Sequence, residues 1–194
     1  MLKNTIKSNS ELFHFQTYLE DDLTWQQHNQ IHAVLNFSYS GRTLSFTKKT
    51  YGHVIPVKRI LCTSQGDLIG HIAVFEDSLL INNAKVPVIG LGLSASTRPT
   101  ALIGAKLRHK ALDICAEAGY NFAISRVRNR SRTKEHLAEF VWDFLDIPLV
   151  GKSTQSHNDE IVAIFNTQLN QERPNYFIQY FKKTGAVKIA GEIF

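Results

Sequence analysis

VPVIGLGLSASTRPTALIGAKLRHKALDICAEAGY, residues Val86 to Tyr120, runs through three kinds of backbone in 35 positions. The apolar run from Val86 to Leu93 is long enough for a buried strand. A turn of small residues follows, Ser94-Ala95-Ser96-Thr97-Arg98-Pro99-Thr100. A helix then begins near Ala101 or Leu102. It carries Leu107, Ala111, Leu112, Ile114, Cys115 and Ala118 on its apolar face and stops at Gly119. The order strand, small turn, helix start places unpaired N–H groups and the positive end of a macrodipole where an anion can sit. Only one glycine, Gly104, lies in the tight part of the turn. An ordinary strand–turn–helix unit that binds nothing satisfies the same pattern.

Upstream of this stretch, Glu11 to Leu19 alternates loosely and reads as a first strand. Asp21-Asp22-Leu23-Thr24 offers helix caps, and Trp25, Ile31, Val34, Leu35 and Phe37 make a helical face behind them. His28 and His32 sit four apart on that helix. No third ligand follows at a recognisable spacing, so they read as a surface pair and no metal site is assigned. Ser38 to His53 is polar and basic, a long loop or an irregular second helix, and by position an acceptor lid. Val57 to Thr63 and Leu68 to Phe75 pair across Gln65-Gly66-Asp67. Leu79-Leu80-Ile81 pairs with Val86-Pro87-Val88 across Asn82 to Lys85, giving an antiparallel meander. Pro87 lacks an N–H and marks a place where its strand is locally unpaired or at an edge.

Downstream, Phe122 to Val127 is a short apolar strand, so strand–helix–strand forms a right-handed parallel crossover. A helix is expected from Thr133 to Asp143, with Leu137, Phe140, Val141 and Phe144 inward. Leu149-Val150, a strong strand over Glu160 to Asn166, and an aromatic tail from Tyr176 close the chain. Ala186 to Ala190 reads as a last strand.

The length of 194 residues fits a single domain, 1–194, able to bury a core without staples. A hydrophobic share of 43% excludes a disordered chain. The two cysteines, Cys62 and Cys115, both fall in apolar patterns and read as reduced core thiols. No apolar segment reaches the length of a membrane span, and no signal sequence is legible, so a cytoplasmic location is expected. The net charge of +5 suits an anionic ligand, an acidic carrier protein or nucleic acid. Its basic residues concentrate over Arg98 to Lys110 and Arg126 to Lys134. The second cluster lacks interleaved aromatics, which disfavours nucleic acid.

This order of elements resembles the GCN5-related N-acetyltransferase (GNAT) superfamily. More narrowly it resembles the rhizobial NodA-type nodulation N-acyltransferases. The matching pieces are Gly70-His71-Ile72; Leu91-Gly92-Leu93 followed by Arg98-Pro99; Ala118-Gly119; Phe122-Ala123-Ile124 with Val127-Arg128; and His136-Leu137-Ala138-Glu139-Phe140. The resemblance implies an α/β (α+β) fold: a GNAT-like mixed central sheet, an antiparallel meander plus one parallel crossover, with flanking helices. It implies a strand ending at Leu91-Gly92-Leu93 that splays from its parallel neighbour, with pantetheine pairing to those three residues. The diphosphate would rest on Leu102, Ile103, Gly104 and Ala105, with Arg98 or Lys106 nearby. The family's turn is richer in glycine than Arg98 to Ala105. Its usual Glu before the Leu-Gly-Leu run is Gly90 here, and the helix from Thr133 contains no Tyr.

The function implied is transfer of an acyl group from an acyl-CoA or acyl carrier protein thioester to a primary amine, such as that of an amino sugar or amino acid. Histidine suits the proton transfers near neutral pH. His71 is the leading base or substrate-orienting residue, and His136 is second. Ser94 or Ser125 could hydrogen-bond the sulfur. Glu76, Asp77 or Glu160 could hold a cationic amine. No nucleophile–base spacing is present, which favours direct attack without an acyl-enzyme. The alternative is a non-catalytic module that binds an acyl ligand or a partner protein.

Overall fold

The computed structural model describes residues 13–40, 54–98, 102–128, 142–152, 160–166 and 176–192. Its strands are β1 (His14–Leu19), β2 (Lys58–Ser64), β3 (Asp67–Ile81), β4 (Ala84–Ser96), β5 (Phe122–Arg128), β6 (Asp143–Leu145), β7 (Leu149–Val150), β8 (Glu160–Asn166) and β9 (Val187–Lys188). Its α-helices are α1 (Trp25–Ser38), α2 (Ile103–Glu117) and α3 (Tyr176–Thr184). Seven strands form one sheet in the order β1-β2-β3-β4-β5-β8-β6, and β7 pairs with β9 beside it. Every pairing in the large sheet is antiparallel except β4–β5, the crossover that α2 connects.

Two-residue turns set the meander. Gln65 and Gly66 have φ of 53° and 88°, and Asn82 and Asn83 have φ of 50° and 63°. Left-handed backbone at both central residues matches the twist of antiparallel strands. The hairpin at 82–83 continues β3 without a break, so Leu68 to Phe75 and Leu79 to Ile81 are one strand of 15 residues rather than two. Pro87 stands opposite Ser78 on β3, outside the β5 ladder, where its missing N–H costs β5 nothing.

Alternation along the strands feeds both faces. Ile60, Cys62, Ile72, Val74, Ile89, Leu91, Ala123 and Val127 bury with the α2 residues Ile103, Leu107, Ala111 and Cys115. On the other face, Leu61, Leu68 and Ala95 pack with Ile31, Val34 and Leu35 of α1. Phe122, Ile124, Val162 and Ile164 pack there with Ile178 and Phe181 of α3. Both cysteines are free and buried, and burial pushes their thiols up to about 11 for Cys62 and about 12 for Cys115. Neither is a thiolate nucleophile at neutral pH.

Several local expectations are corrected. Thr24 does cap α1: its Oγ1 accepts from the Gln27 N–H, and Gln27 Oε1 accepts from the Thr24 N–H. Yet Trp25 and Phe37 are exposed, at 71% and 60%, because the buried stripe runs through Ile31, Val34 and Leu35. His28 is buried, not on the surface. The aromatic segment from Tyr176 is a helix, since Phe177, Ile178 and Phe181 recur at helical spacing. Asp143 and Phe144 belong to a strand rather than to the end of a helix. Of the acceptor lid expected over Ser38 to His53, Ser38 instead ends α1 and residues 41–53 lie outside the described residues, as do residues 133–141 of the helix expected from Thr133, with His136.

Candidate active site

β4 carries the geometry that matters. Its parallel ladder with β5 covers only Ile89–Ala123, Gly90–Ile124 and Leu91–Ser125. Beyond Leu91, β4 runs on to Ser96 against β3, and β5 runs on to Arg128 against β8. The two strands therefore diverge, and one edge of β4 opens. At the fork, the Ser125 hydroxyl donates to the Leu91 carbonyl at 2.9 Å. That bond ties the two strands at the last pair of the ladder.

A bulge sits just past the fork. Between Ala73–Gly92 and His71–Ala95, β4 uses one residue more than β3. Leu93 absorbs the excess with φ of +50°. Leu91 faces α2, whereas Leu93 and Ala95 both face α1, so the bulge reverses the alternation. A leucine in the left-handed region is costly unless its surroundings fix it.

A buried string of side chains supplies that constraint. His71 Nδ1 lies 2.9 Å from the Leu93 carbonyl, and its Nε2 lies 3.0 Å from Arg59 Nη1. Arginine only donates, so Nε2 accepts; Nδ1 must then carry the hydrogen and donate to Leu93. Arg59 is held by Glu20 through Nε–Oε2 at 2.5 Å and Nη2–Oε1 at 3.2 Å, a bidentate pair. Glu20 lies in the 3-10 turn before α1, and all three side chains are buried. Burial first, and then the Arg59 charge, hold His71 well below its ordinary 6.5, against the opposing pull of the Leu93 carbonyl. The imidazole is neutral, with both nitrogens engaged.

Below pH 6.5 the unfolded chain protonates this histidine and the folded chain does not. Stability is therefore complete above about 6.5 and falls as pH drops, by up to about 1.4 kcal/mol per pH unit for this group. A His71→Gln variant is expected to show a shallower loss between pH 6.5 and 5 in denaturant titrations. Equal slopes in the two proteins would contradict the buried neutral imidazole.

The open edge of β4 meets residues from both faces of the sheet. Ser38, at the end of α1, bonds the Ser96 N–H and carbonyl through one hydroxyl, at 3.0 Å each. The Tyr39 hydroxyl donates to the Ser94 carbonyl at 3.3 Å. From the α2 side, Arg108 Nη1 donates to Ser94 Oγ at 3.2 Å. Arg108 is only 9% exposed, and burial lowers its guanidinium to about 10, with Tyr39 offsetting part of the effect. It remains a cation at neutral pH.

α2 begins beside this edge. Leu102 is its N-cap, left-handed at φ +53°, and offers no side-chain acceptor. The first intrahelical donor is Lys106, to the Leu102 carbonyl at 3.1 Å. The N–H groups of Ile103, Gly104 and Ala105 therefore precede the helical hydrogen-bond ladder. Ile103 is fully buried against Gly70, where a Cβ would come within 2.5 Å of Ile103 Cγ2. Gly70 thus lets the helix start approach the sheet.

The structure brings together Leu91, Gly92, Leu93, Ile103, Gly104 and Ala105, with Leu102 at the cap and Arg98 half-buried at the end of the strand exit. It takes Lys106 elsewhere: Nζ lies 5.2 Å from the centre of the Phe13 ring. The acidic candidates are engaged away from the bulge. Asp77 accepts from the Gly191 and Ser78 N–H groups, Glu160 pairs with Arg126 at 3.2 Å, and Glu76 accepts from Tyr120. Glu20, Arg59, Arg108, Ser38 and Tyr39 were not anticipated. The signal for two of them is in the sequence. Arg59 interrupts a buried strand, and Arg108 falls on the apolar stripe of α2, one position after Leu107.

No protein-family model and no curated protein matches the chain. Solved structures do. The GNAT family N-acetyltransferase YhbS from Escherichia coli, in complex with CoA, superposes with a TM-score of 0.59 at 13% identity, over 92% of this chain and 90% of that one. An acyl-CoA N-acyltransferase from Pseudomonas aeruginosa gives 0.57 at 8% identity, over 79% and 99%. An N-acetyltransferase from Staphylococcus aureus Mu50 gives 0.55 at 13% identity, over 80% and 98%. The chain has the GNAT fold. At these identities the likeness is one of architecture: a mixed sheet with one parallel pair, flanked by helices. Among the described residues, no helix of this GNAT fold is long and apolar enough to cross a membrane.

Proposed function

We propose that this chain is an N-acyltransferase that moves an acyl group from an acyl-CoA thioester to the primary amine of a small molecule by direct attack. The observation that carries the proposal is the short β4–β5 ladder, which stops at Leu91–Ser125 while both strands run on. A thioester donor enters between them. Its pantetheine follows the edge at Gly92 and Leu93, and its diphosphate rests on the amides of Ile103, Gly104 and Ala105. CoA is the preferred donor because YhbS, which shares the fold, was solved with CoA. The narrower likeness to NodA-type enzymes, and with it an amino-sugar acceptor or a carrier-borne acyl group, rests on the short motifs alone.

His71 takes the orienting role rather than that of base, since neither ring nitrogen is available to receive a proton. It holds the Leu93 carbonyl and so sets the direction of the neighbouring bulge amides. An amide aimed at the thioester oxygen stabilises charge as the tetrahedral intermediate forms. The attacking amine forms the C–N bond and loses a proton to a base, for which His136 remains our candidate. The C–S bond then breaks, and the thiolate leaves with a proton from solvent or that base.

The test is a thermal-shift titration with acetyl-CoA and longer acyl-CoAs, followed by thiol release with a panel of primary amines. The expected result is stabilisation by the donor and amine-dependent thiol release. Stabilisation without release across the panel would favour the non-catalytic module, a reading that the glycine-poor turn and the Ser38 and Tyr39 caps on the β4 edge also support. No stabilisation by any CoA thioester would overturn the donor assignment.

A further inference from the structure

The strands and amides of the donor cleft leave one strong charge without an assigned task. Arg108 lies four residues after Gly104, on the same side of α2, and helical side chains lean toward the N-terminus. Its guanidinium therefore folds back over the first turn. Nη2 lies 3.4 Å from where a Gly104 Cβ would stand, and Nη1 bonds Ser94 Oγ on β4. The charge is nine-tenths buried, yet no carboxylate pairs with it among the described residues, and a serine hydroxyl is its only hydrogen-bond partner there. Burying a cation whose hydrogen-bond partner is a neutral hydroxyl is costly. The cost is recovered when an anion arrives, because a charge-assisted contact in a desolvated site is stronger than one in water.

Position identifies the anion. The guanidinium stands between the free amides of α2 and the bulge at Leu93, one helical turn inward from Ile103. A donor whose thioester reaches the bulge and whose outer phosphate meets those amides must pass Ser94 and Arg108 in between. We infer that Arg108 and Ser94 form a built subsite for the phosphate that adjoins the pantetheine arm. That phosphate is common to CoA and to the phosphopantetheine arm of a carrier protein, so the subsite recognises the shared chemistry of both. This inference rests on the proposed donor cleft. It adds that a side-chain charge, and not helix amides alone, reads the donor in a turn poor in glycine.

Calorimetric titration of the full chain with CoA, 4′-phosphopantetheine and unphosphorylated pantetheine tests it. The wild type is expected to bind phosphopantetheine at least about ten-fold tighter than pantetheine, the scale of one charge-assisted hydrogen bond. Arg108→Met keeps the apolar stem and removes the charge. It should erase that ratio and weaken CoA by about ten- to a hundred-fold, with Arg108→Lys recovering part of the loss. A folded Arg108→Met protein that binds all three ligands as the wild type does would overturn the subsite while leaving the donor cleft standing. Should the variants not fold, the wild type decides alone: a phosphopantetheine-to-pantetheine ratio near one overturns the subsite. Wild-type protein that binds none of the three, CoA included, overturns the donor cleft itself. A titration with carrier-borne phosphopantetheine against free CoA separates the two sources of the phosphate.

Discussion

Glu20→Ala is expected to destabilise the chain by about 3–5 kcal/mol, the cost of removing one member of a buried ion pair. Arg59 is fully buried and takes both carboxylate oxygens of Glu20. Without them its charge stays in the interior, and its contact with His71 loses its anchor. The consequence should reach beyond stability. His71 holds the Leu93 carbonyl, so a loosened Arg59 frees the bulge that faces the donor. Glu20→Gln keeps the shape and part of the hydrogen bonding, and should fall between wild type and Glu20→Ala. Denaturant titration measures the first effect. Thiol release under saturating donor measures the second, as a drop in kcat with KM for the donor little changed. A loss below about 1 kcal/mol, the level of an exposed pair, would mean that Arg59 finds water or another partner.

Gly70→Ala is the second large effect, expected at about 1–3 kcal/mol, the usual penalty for overpacking a filled core. A Cβ at this position would stand 2.5 Å from Ile103 Cγ2, 3.2 Å from Leu107 Cδ1 and 3.3 Å from Cys62 Cβ. Strand β3 cannot yield easily, since it is paired on both sides. The helix start must move instead, and Ile103 carries the first of the free amides. Donor affinity should therefore fall along with the melting temperature. Trimming the obstacle supplies the control: Ile103→Ala removes Cγ2, and combined with Gly70→Ala it should lose less than the sum of the two single variants, a coupling expected of residues in contact. Additive losses in the double variant would place the strain elsewhere.

The architecture was legible where alternation and turn chemistry agreed. Val57 to Ile81 and the run from Val86 announce the meander, and Phe122 to Val127 announces the parallel partner that the crossover predicts. The helix at Tyr176–Thr184 was missed because its aromatic residues also suit strands, and its period over nine residues is short. Ser94 to Ser96 read as a turn because small polar residues usually mark one, yet pairing with β3 carries the strand on to Ser96.

The site was half legible. The helix start near Gly104 was visible in the residues, and the fork at Leu91-Gly92-Leu93 was implied by the resemblance alone. The bulge itself was not visible, because a leucine at φ +50° leaves no mark in composition. His71 was singled out as a residue but not for its partners. Its task depends on Arg59 and Glu20, brought from 12 and 51 positions away by strand pairing and the approach to α1. Such long-range contacts carry no local spacing to read.

The central claim is that the fork after Leu91 and the start of α2 together hold a thioester donor. A titration of the isotope-labelled full chain with acetyl-CoA, followed by the backbone amide resonances, tests it most directly. The predicted result is saturable shifts confined to Gly92, Leu93, Ser94, Ile103, Gly104, Ala105 and the neighbouring end of β5. Saturable shifts that gather elsewhere on the sheet, or no shifts at millimolar acetyl-CoA, would contradict it.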